Sequence, residues 1–226
     1  PFHRGHEYQI RYARESLGAD YVIVAMSGDF VQRGAPALMP KHLRAEMALL
    51  GGADLVLELP VQVSTASAEG FAAGGVSLLD GLGIVDELCF GSECGDTELL
   101  METARILVAE PPAYRNFLQK NLRDGMNFPL ARSRALTSYI AKSAISDVSS
   151  GDGHFISPEQ MDSVLSSPNN ILGIEYCKAL LRQNSSIRPH ALLRKGSGYH
   201  DADLSNVSGD FFPSASGIRE LLSAEK

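Results

Sequence analysis

Three short apolar runs do most to limit how this chain can fold. They are residues 21–26 (YVIVAM), 54–59 (DLVLEL) and 87–90 (ELCF). Continuous apolarity over four to six residues suits a strand covered on both faces, as in a parallel sheet. Between the runs lie stretches of helical character, 41–50 ending at Gly51-Gly52, and the small-residue segment 67–79 with Gly70, Gly74 and Gly75. Strand, helix, strand, helix, strand at this spacing predicts an α/β fold with parallel strands and crossover helices. Ligands in such sheets sit beyond the carboxyl ends of the strands. The loops 27–40, 60–65 and 91–96 leave those ends and are expected to converge on one site.

A helix over 6–17 with Gly18 as its stop precedes the first run. After residue 96 the pattern becomes helical, with helices expected near 97–109, 112–123 and 129–142. Residues 143–168 hold eight serines and Gly151-Asp152-Gly153, which predicts a loop with one short helix over 158–165. A helix over 170–182 (NILGIEYCKALLR) and a fourth strand over 187–193 follow. Residues 195–213 read as a Gly-, Ser- and Asp-rich loop, and 214–222 as a last helix. The expected organisation is an α/β part, 1–95 with 168–226, interrupted by a helical insertion over 96–167. No internal repeat is present.

Composition narrows the class. With 44% hydrophobic and 21% charged residues over 226 positions, the chain is too apolar to be disordered. It has no run of 18 apolar residues, so no membrane-spanning helix is expected. The net charge of −7 is uneven: residues 1–100 hold 14 acids against 6 bases, and the remainder is near neutral. Arg115, Lys120, Arg123, Arg132, Arg134 and Lys142 face only Asp124 between 115 and 142. That cluster reads either as a solvated helical face or as a contact for a polyanion. Cys89, Cys94 and Cys177 are odd in number and have no Cys-x-x-Cys spacing, which argues against disulfides and a zinc site and fits a reducing cytoplasm. Cys89 and Cys177 read as small apolar filler.

Two motifs carry chemistry. His3-Arg4-Gly5-His6 stands at the start of the first helix. Helix N-termini attract anions, and Gly5 admits a phosphate close to the backbone. His3 and His6 are three residues apart, so both rings can donate to charge growing on one phosphorus. A zinc-ligand pair and plain surface histidines stay open as readings of this motif alone. Ser214-Ala215-Ser216-Gly217-Ile218-Arg219 reads as a second phosphate cradle, or as an ordinary N-cap with a surface Arg.

The two motifs together, near the two ends of an α/β chain, resemble the HIGH-type nucleotidyltransferase superfamily. More segments narrow the match: Pro1-Phe2-His3-Arg4-Gly5-His6, residues 26–34 (MSGDFVQRG), 52–60 (GADLVLELP), Phe90-Gly91-Ser92-Glu93, 168–176 (PNNILGIEY) and Gly198-Tyr199-His200-Asp201. In this order they resemble the tRNA(Met) cytidine acetate ligase family over residues 1 to about 220. The resemblance implies a Rossmann-like nucleotidyltransferase sheet with flanking helices and a helical insertion. It implies activation of acetate with ATP to acetyl-adenylate, then acetylation of N4 of the wobble cytidine of elongator tRNA(Met). ATP-binding positions would fall on Pro1, Phe2, His3, Gly5 and His6, on Gly91, on Asn169 or Asn170, and on Arg194. His3 and His6 would be catalytic, stabilising the α-phosphate transition state. Ser214, Ser216 and Arg219 would hold the β- and γ-phosphates. Mg2+ is expected as the counter-ion of ATP, with no protein metal cage.

The chain departs from that family in three respects. It lacks the strand and short Glu-Tyr-Asn segment expected before Pro1, it stops at Lys226 where a further tRNA-facing region is expected, and Asp29 stands where Asn is expected. It is therefore expected to be an activation core clipped at both ends. Gln32, Arg33, Lys41 and Arg44 are weaker candidates for meeting acetate or phosphate, with surface helix charges as the other reading. Asp54 and Glu58 read as strand-end carboxylates without acid–base roles, and 199–201 as a loop polar cluster. Two other functions are weighed. One is a nucleotidyltransferase of the pantetheine-phosphate or nicotinate-mononucleotide type; the other is a nucleotide-binding module without catalysis. The Pro-Asn-Asn-Ile-Leu-Gly-Ile-Glu-Tyr block and the basic insertion favour the ligase over both.

Overall fold

The structure, a computed structural model, describes residues 2–147 and 158–194. Its elements follow in the order α1 (Arg4–Glu15), β1 (Ile23–Ser27), α2 (Lys41–Leu50), β2 (Leu55–Leu59), α3 (Val61–Ser64), α4 (Ala68–Asp80), β3 (Glu87–Ser92), α5 (Thr97–Ala109), α6 (Pro112–Arg123), α7 (Phe128–Asp147), α8 (Pro158–Ser166), α9 (Pro168–Gln183) and β4 (Arg188–Leu193). The expected strands and helices are all present within this span. The short α3 and a 3-10 turn at Gln32–Gly34 were not foreseen. The helix expected over 214–222 lies outside the described residues.

Both ladders are parallel. β1 pairs with β2 from Ile23↔Leu55 to Ser27↔Leu59, and β3 pairs with β4 from Glu87↔Arg188 to Ser92↔Leu193. Among the described residues the two ladders are not hydrogen-bonded to each other. They share one covering layer nonetheless. Ile23 and Ala25 of β1 and Leu88 of β3 pack against Ala72, Val76 and Leu79 of α4 and Ala179 and Leu180 of α9. Burial on both faces, expected for the runs 21–26 and 54–59, is only partial in β2, where Leu59 is buried but Leu55 and Glu58 are exposed.

Local sequence explains the helix starts. Asp96 caps α5 by accepting from the Leu99 N–H at 3.0 Å, and Ser67 caps α4 through Gly70. Within α4, Gly74 lets α3 approach: a Cβ there would lie 2.4 Å from a Val63 methyl. Beyond β3 the chain builds a helical core in which Leu100, Leu136 and Met161 are fully buried beside Phe90, Ile174 and Cys177. This core joins α5–α8 to β3 and α9 without a break. The helices of 96–167 therefore rest directly on the α/β part.

Buried charge reinforces that seam. Glu175 of α9, 4% exposed, accepts from Arg132 of α7 at 3.0 Å and from Lys178 at 2.5 Å. Lys178 also reaches Glu69 of α4 at 3.5 Å. Arg132, counted from sequence with the exposed basic cluster, is turned inward instead. Arg115, Lys120, Arg123 and Arg134 remain exposed.

Candidate active site

The site forms where α1 begins beside the carboxyl end of β3. Two side-chain links hold α1 there. Gln9 donates its amide to the Cys89 carbonyl of β3 at 2.7 Å. Arg14 donates to the Gly52 carbonyl and pairs with Asp54 at 2.5 Å, while Asp54 also takes the Val22 N–H. Asp54 is thus a structural anchor, as its strand-end place suggested.

His3 is the N-cap of α1. Its Nδ1 accepts from the Gly5 N–H at 3.1 Å. An accepting Nδ1 belongs to the neutral ring with its proton on Nε2, so His3 keeps one N–H donor for a ligand. Burial lowers its pKa to about 4, and the guanidinium of Arg194 adds to the effect. The His6 pKa is lowered in the same direction, by desolvation and then by His3 and Arg194, although the residue is exposed and the effect is correspondingly weaker. The two ring centroids are 4.0 Å apart, and Phe2 stacks on His6 at 5.6 Å. The accepting Nδ1 thus marks His3 as a neutral ring. It is ready to donate, not to bind an anion by charge alone.

Gly91 and Arg194 complete this corner. The Arg194 N–H donates to the Ser92 carbonyl at 3.0 Å, continuing the β3–β4 ladder. A Cβ on Gly91 would lie 3.4 Å from Cγ of Arg194. Four predicted positions, His3, His6, Gly91 and Arg194, are thus neighbours although they are up to 191 residues apart in sequence. Pro1, Ser214, Ser216 and Arg219 lie outside the described residues, as do residues 199–201.

The two asparagines prove to differ. Asn170 is 2% exposed, and its Oδ1 accepts from Ser92 Oγ at 2.7 Å and from the N–H groups of Glu93 and Cys94 at 2.9 and 3.1 Å. That carbonyl is fully used inside the protein. Asn169 is half-buried, and its amide nitrogen donates to Glu93 at 2.6 Å.

Of the weaker candidates, the structure shows how Lys41 and Arg44 are held, and the Arg33 side chain lies outside what it describes. Lys41 is held bidentately by Glu58, at 3.0 and 2.8 Å. Arg44 is 8% exposed and is spent on the backbone carbonyls of Met39 and Gly28. Lys41 is thus already ion-paired at the surface, and Arg44 is buried and not a surface charge. Asp29 caps α2 by accepting from the Lys41 N–H at 3.2 Å, a contact an Asn would make equally well. Among the described residues, no group of three or more His, Cys, Asp or Glu gathers where it could hold a metal ion. No described helix is long and apolar enough to cross a membrane.

Comparison with known proteins agrees with this geometry. The model of the HIGH Nucleotidyl Transferase family matches residues 1–226. The chain belongs to the HIGH nucleotidyl transferase family. Among its relatives, the tRNA(Met) cytidine acetate ligase of Clostridium perfringens is 45% identical over 222 residues, 98% of this chain and 52% of that protein. The ligase of Acetivibrio thermocellus is 45% identical over 99% of this chain and 49% of its own length. The crystal structure of Thermotoga maritima TmcAL in apo form I superposes with a TM-score of 0.87 at 41% identity, covering 100% of this chain and 50% of that one. TmcAL bound with alpha-thio ATP gives 0.84 at 40% identity, over 100% and 48%. The resemblance drawn from the motifs holds, and the fold is the Rossmann-like α/β fold of this nucleotidyl transferase family. The chain spans about half the length of the relatives it matches.

Sequence reasoning missed Glu93, Gln9 and Ser92 as builders of the site. Glu93 and Ser92 stood inside a quoted motif. Their place directly after a strand end was the available signal.

Proposed function

We propose that this chain is the ATP-using core of a tRNA(Met) cytidine acetate ligase. It activates acetate as acetyl-adenylate and serves acetylation of N4 of the wobble cytidine of elongator tRNA(Met), in the cytoplasm. The observation that carries this is the close-packed His3–His6 pair at the start of α1, 4.0 Å between ring centroids, beside Gly91 and Arg194. In this reading residues 1–95 and 168–226 form the nucleotidyltransferase part, and 96–167 is a helical insertion lying on it.

The chemistry follows from the donors. Acetate is ionised at neutral pH and needs no general base. Its oxygen attacks the α-phosphorus of ATP, the bond to the β-phosphate oxygen breaks, and pyrophosphate leaves. Charge grows on the α-phosphoryl oxygens, where His3 Nε2–H and the His6 ring donate. Gly91 leaves space beside the strand end, and Arg194 supplies fixed positive charge. Phe2 fixes the His6 ring. Pro1 and Gly5 belong to the same nucleotide-binding turn, and Ser214, Ser216 and Arg219 would hold the outer phosphates. Mg2+ would travel on those phosphates, neutralising them, and not in a protein cage. The N4 amine of cytidine then attacks the acetyl carbon, AMP leaves, and the amine loses a proton.

Between the two asparagines, we assign the ATP contact to Asn169, because Asn170 is 2% exposed and its carbonyl is already saturated, while Asn169 is only half-buried. The test is incubation of the full-length protein with ATP, labelled acetate and tRNA(Met), followed by nucleoside mass spectrometry. N4-acetylcytidine is the expected product, and His3→Ala should lower acetate-dependent ATP–pyrophosphate exchange by orders of magnitude. Exchange that ignores acetate, or an unmodified cytidine, would sink the reading.

A further inference from the structure

Glu93 lies one residue beyond β3 and reaches across to the start of α9. Its Oε1 accepts from the Asn169 side-chain amide at 2.6 Å and from the Asn169 N–H at 3.3 Å, and its Oε2 accepts from the Asn170 N–H at 2.8 Å. The N-cap residue of α9, Ser167, makes no side-chain cap of its own. Glu93 therefore supplies from another element what the helix lacks locally. The return contact is equally full. Asn170 Oδ1 takes three donors from residues 92–94, and Ser92 Oγ, having donated there, accepts from the Gly95 N–H at 3.0 Å.

A consequence for Asn169 follows from elementary hydrogen bonding. An ionised carboxylate only accepts, so the amide group turned to Glu93 must be the NH2. The orientation of Asn169 is thus decided by chemistry, and its Oδ1 is the free end. Among the described residues nothing donates to that oxygen. It lies on the segment packed against Glu93, two residues along the chain from Gly91, whose face Arg194 covers.

We propose that Glu93 is a positioning residue that locks the Asn169 amide so that only an acceptor faces the nucleoside half of ATP. An acceptor there takes a donor, either the exocyclic amine of adenine or a ribose hydroxyl. This rests on the ATP reading above and deepens it.

The experiment uses the full-length protein and isothermal titration with ATP, purine riboside triphosphate, which lacks the amine, and 2′-deoxy-ATP. Wild type is expected to bind one of the two analogues about three- to tenfold more weakly than ATP, the loss of one hydrogen bond. The analogue affected names the donor. Glu93→Gln leaves one acceptor oxygen for three N–H donors and so loosens the hold on the Asn169 amide. It should weaken ATP by a similar factor and abolish the discrimination. Asn169→Ala should do the same, and adding Glu93→Gln to it should change ATP affinity no further. A role limited to capping α9 would move stability in urea while leaving the analogue ratio at its wild-type value, and that result overturns the proposal. So does equal binding of all three nucleotides by wild type, with the ATP reading left intact. Wild type that binds no ATP overturns both.

Discussion

The Glu175–Lys178–Arg132 cluster should dominate the sensitivity of this chain to mutation. Glu175 and Lys178 are 4% and 5% exposed, and Arg132 has 22% of its side chain accessible. Replacing Glu175 by Leu leaves two cations facing each other with one remaining acceptor in common range of Lys178, Glu69, which is 56% exposed and shared with Arg182. Breaking a buried pair from one side costs about 3–5 kcal/mol. Arg132 can swing toward water and Glu69 is still present, so the lower end applies, about 3 kcal/mol. For a domain of this size that lowers Tm by roughly 6–12 °C, out of a total stability of about 5–15 kcal/mol. The double variant Glu175→Leu, Lys178→Met removes both buried charges and should recover most of the loss, since apolar replacements of buried pairs are often neutral. Urea unfolding followed by circular dichroism reads both, and hydrogen exchange at α9 amides localises the effect. Glu175→Leu within 1 kcal/mol of wild type, or a double variant as unstable as the single, would refute the claim that these charges are desolvated together.

Three other outcomes follow from the site and its surroundings. Gly91→Ala places its Cβ in ordinary contact with Arg194, so stability should be unchanged in urea while ATP affinity falls at least tenfold by titration. The depressed pKa of His3 means that the unfolded chain binds more protons between pH 6.5 and about 4; its contribution is full above pH 6.5 and is lost as pH falls through that window. His3→Asn should flatten the pH slope of urea stability there, and an unaltered slope would contradict a neutral buried ring. Reversing Arg115, Lys120 and Arg123 on α6 should weaken tRNA binding by the full-length protein and reduce its salt dependence. An unaltered salt slope would make α6 a solvated face.

Much of this architecture was readable because it rests on local rules. The apolar runs at 21–26, 54–59 and 87–90 became β1, β2 and β3, and the span of α2, 41–50, was drawn to the residue. The His3-x-Gly5-His6 turn was readable because a helix start binds anions through its own backbone. Arg44 and Arg132 were misread for one reason. A basic residue on a helix looks solvated unless its partner is known, and their partners are a carbonyl 16 residues away and a carboxylate 43 residues away. No spacing rule reaches that far.

The Asn pair shows the same limit at the site itself. Two adjacent amides are indistinguishable in sequence, yet helix geometry points them about 100° apart. Asn170 turns into the loop that leaves β3, where three donors, none closer than 76 residues in the chain, await one acceptor. Asn169 turns aside to the carboxylate of Glu93. Asn170 is buried and its carbonyl has no capacity left, so it is less open to a ligand than its half-buried neighbour. The proposed ATP contact therefore falls on the residue whose hydrogen bonding is half complete, and at this helix start that residue is Asn169.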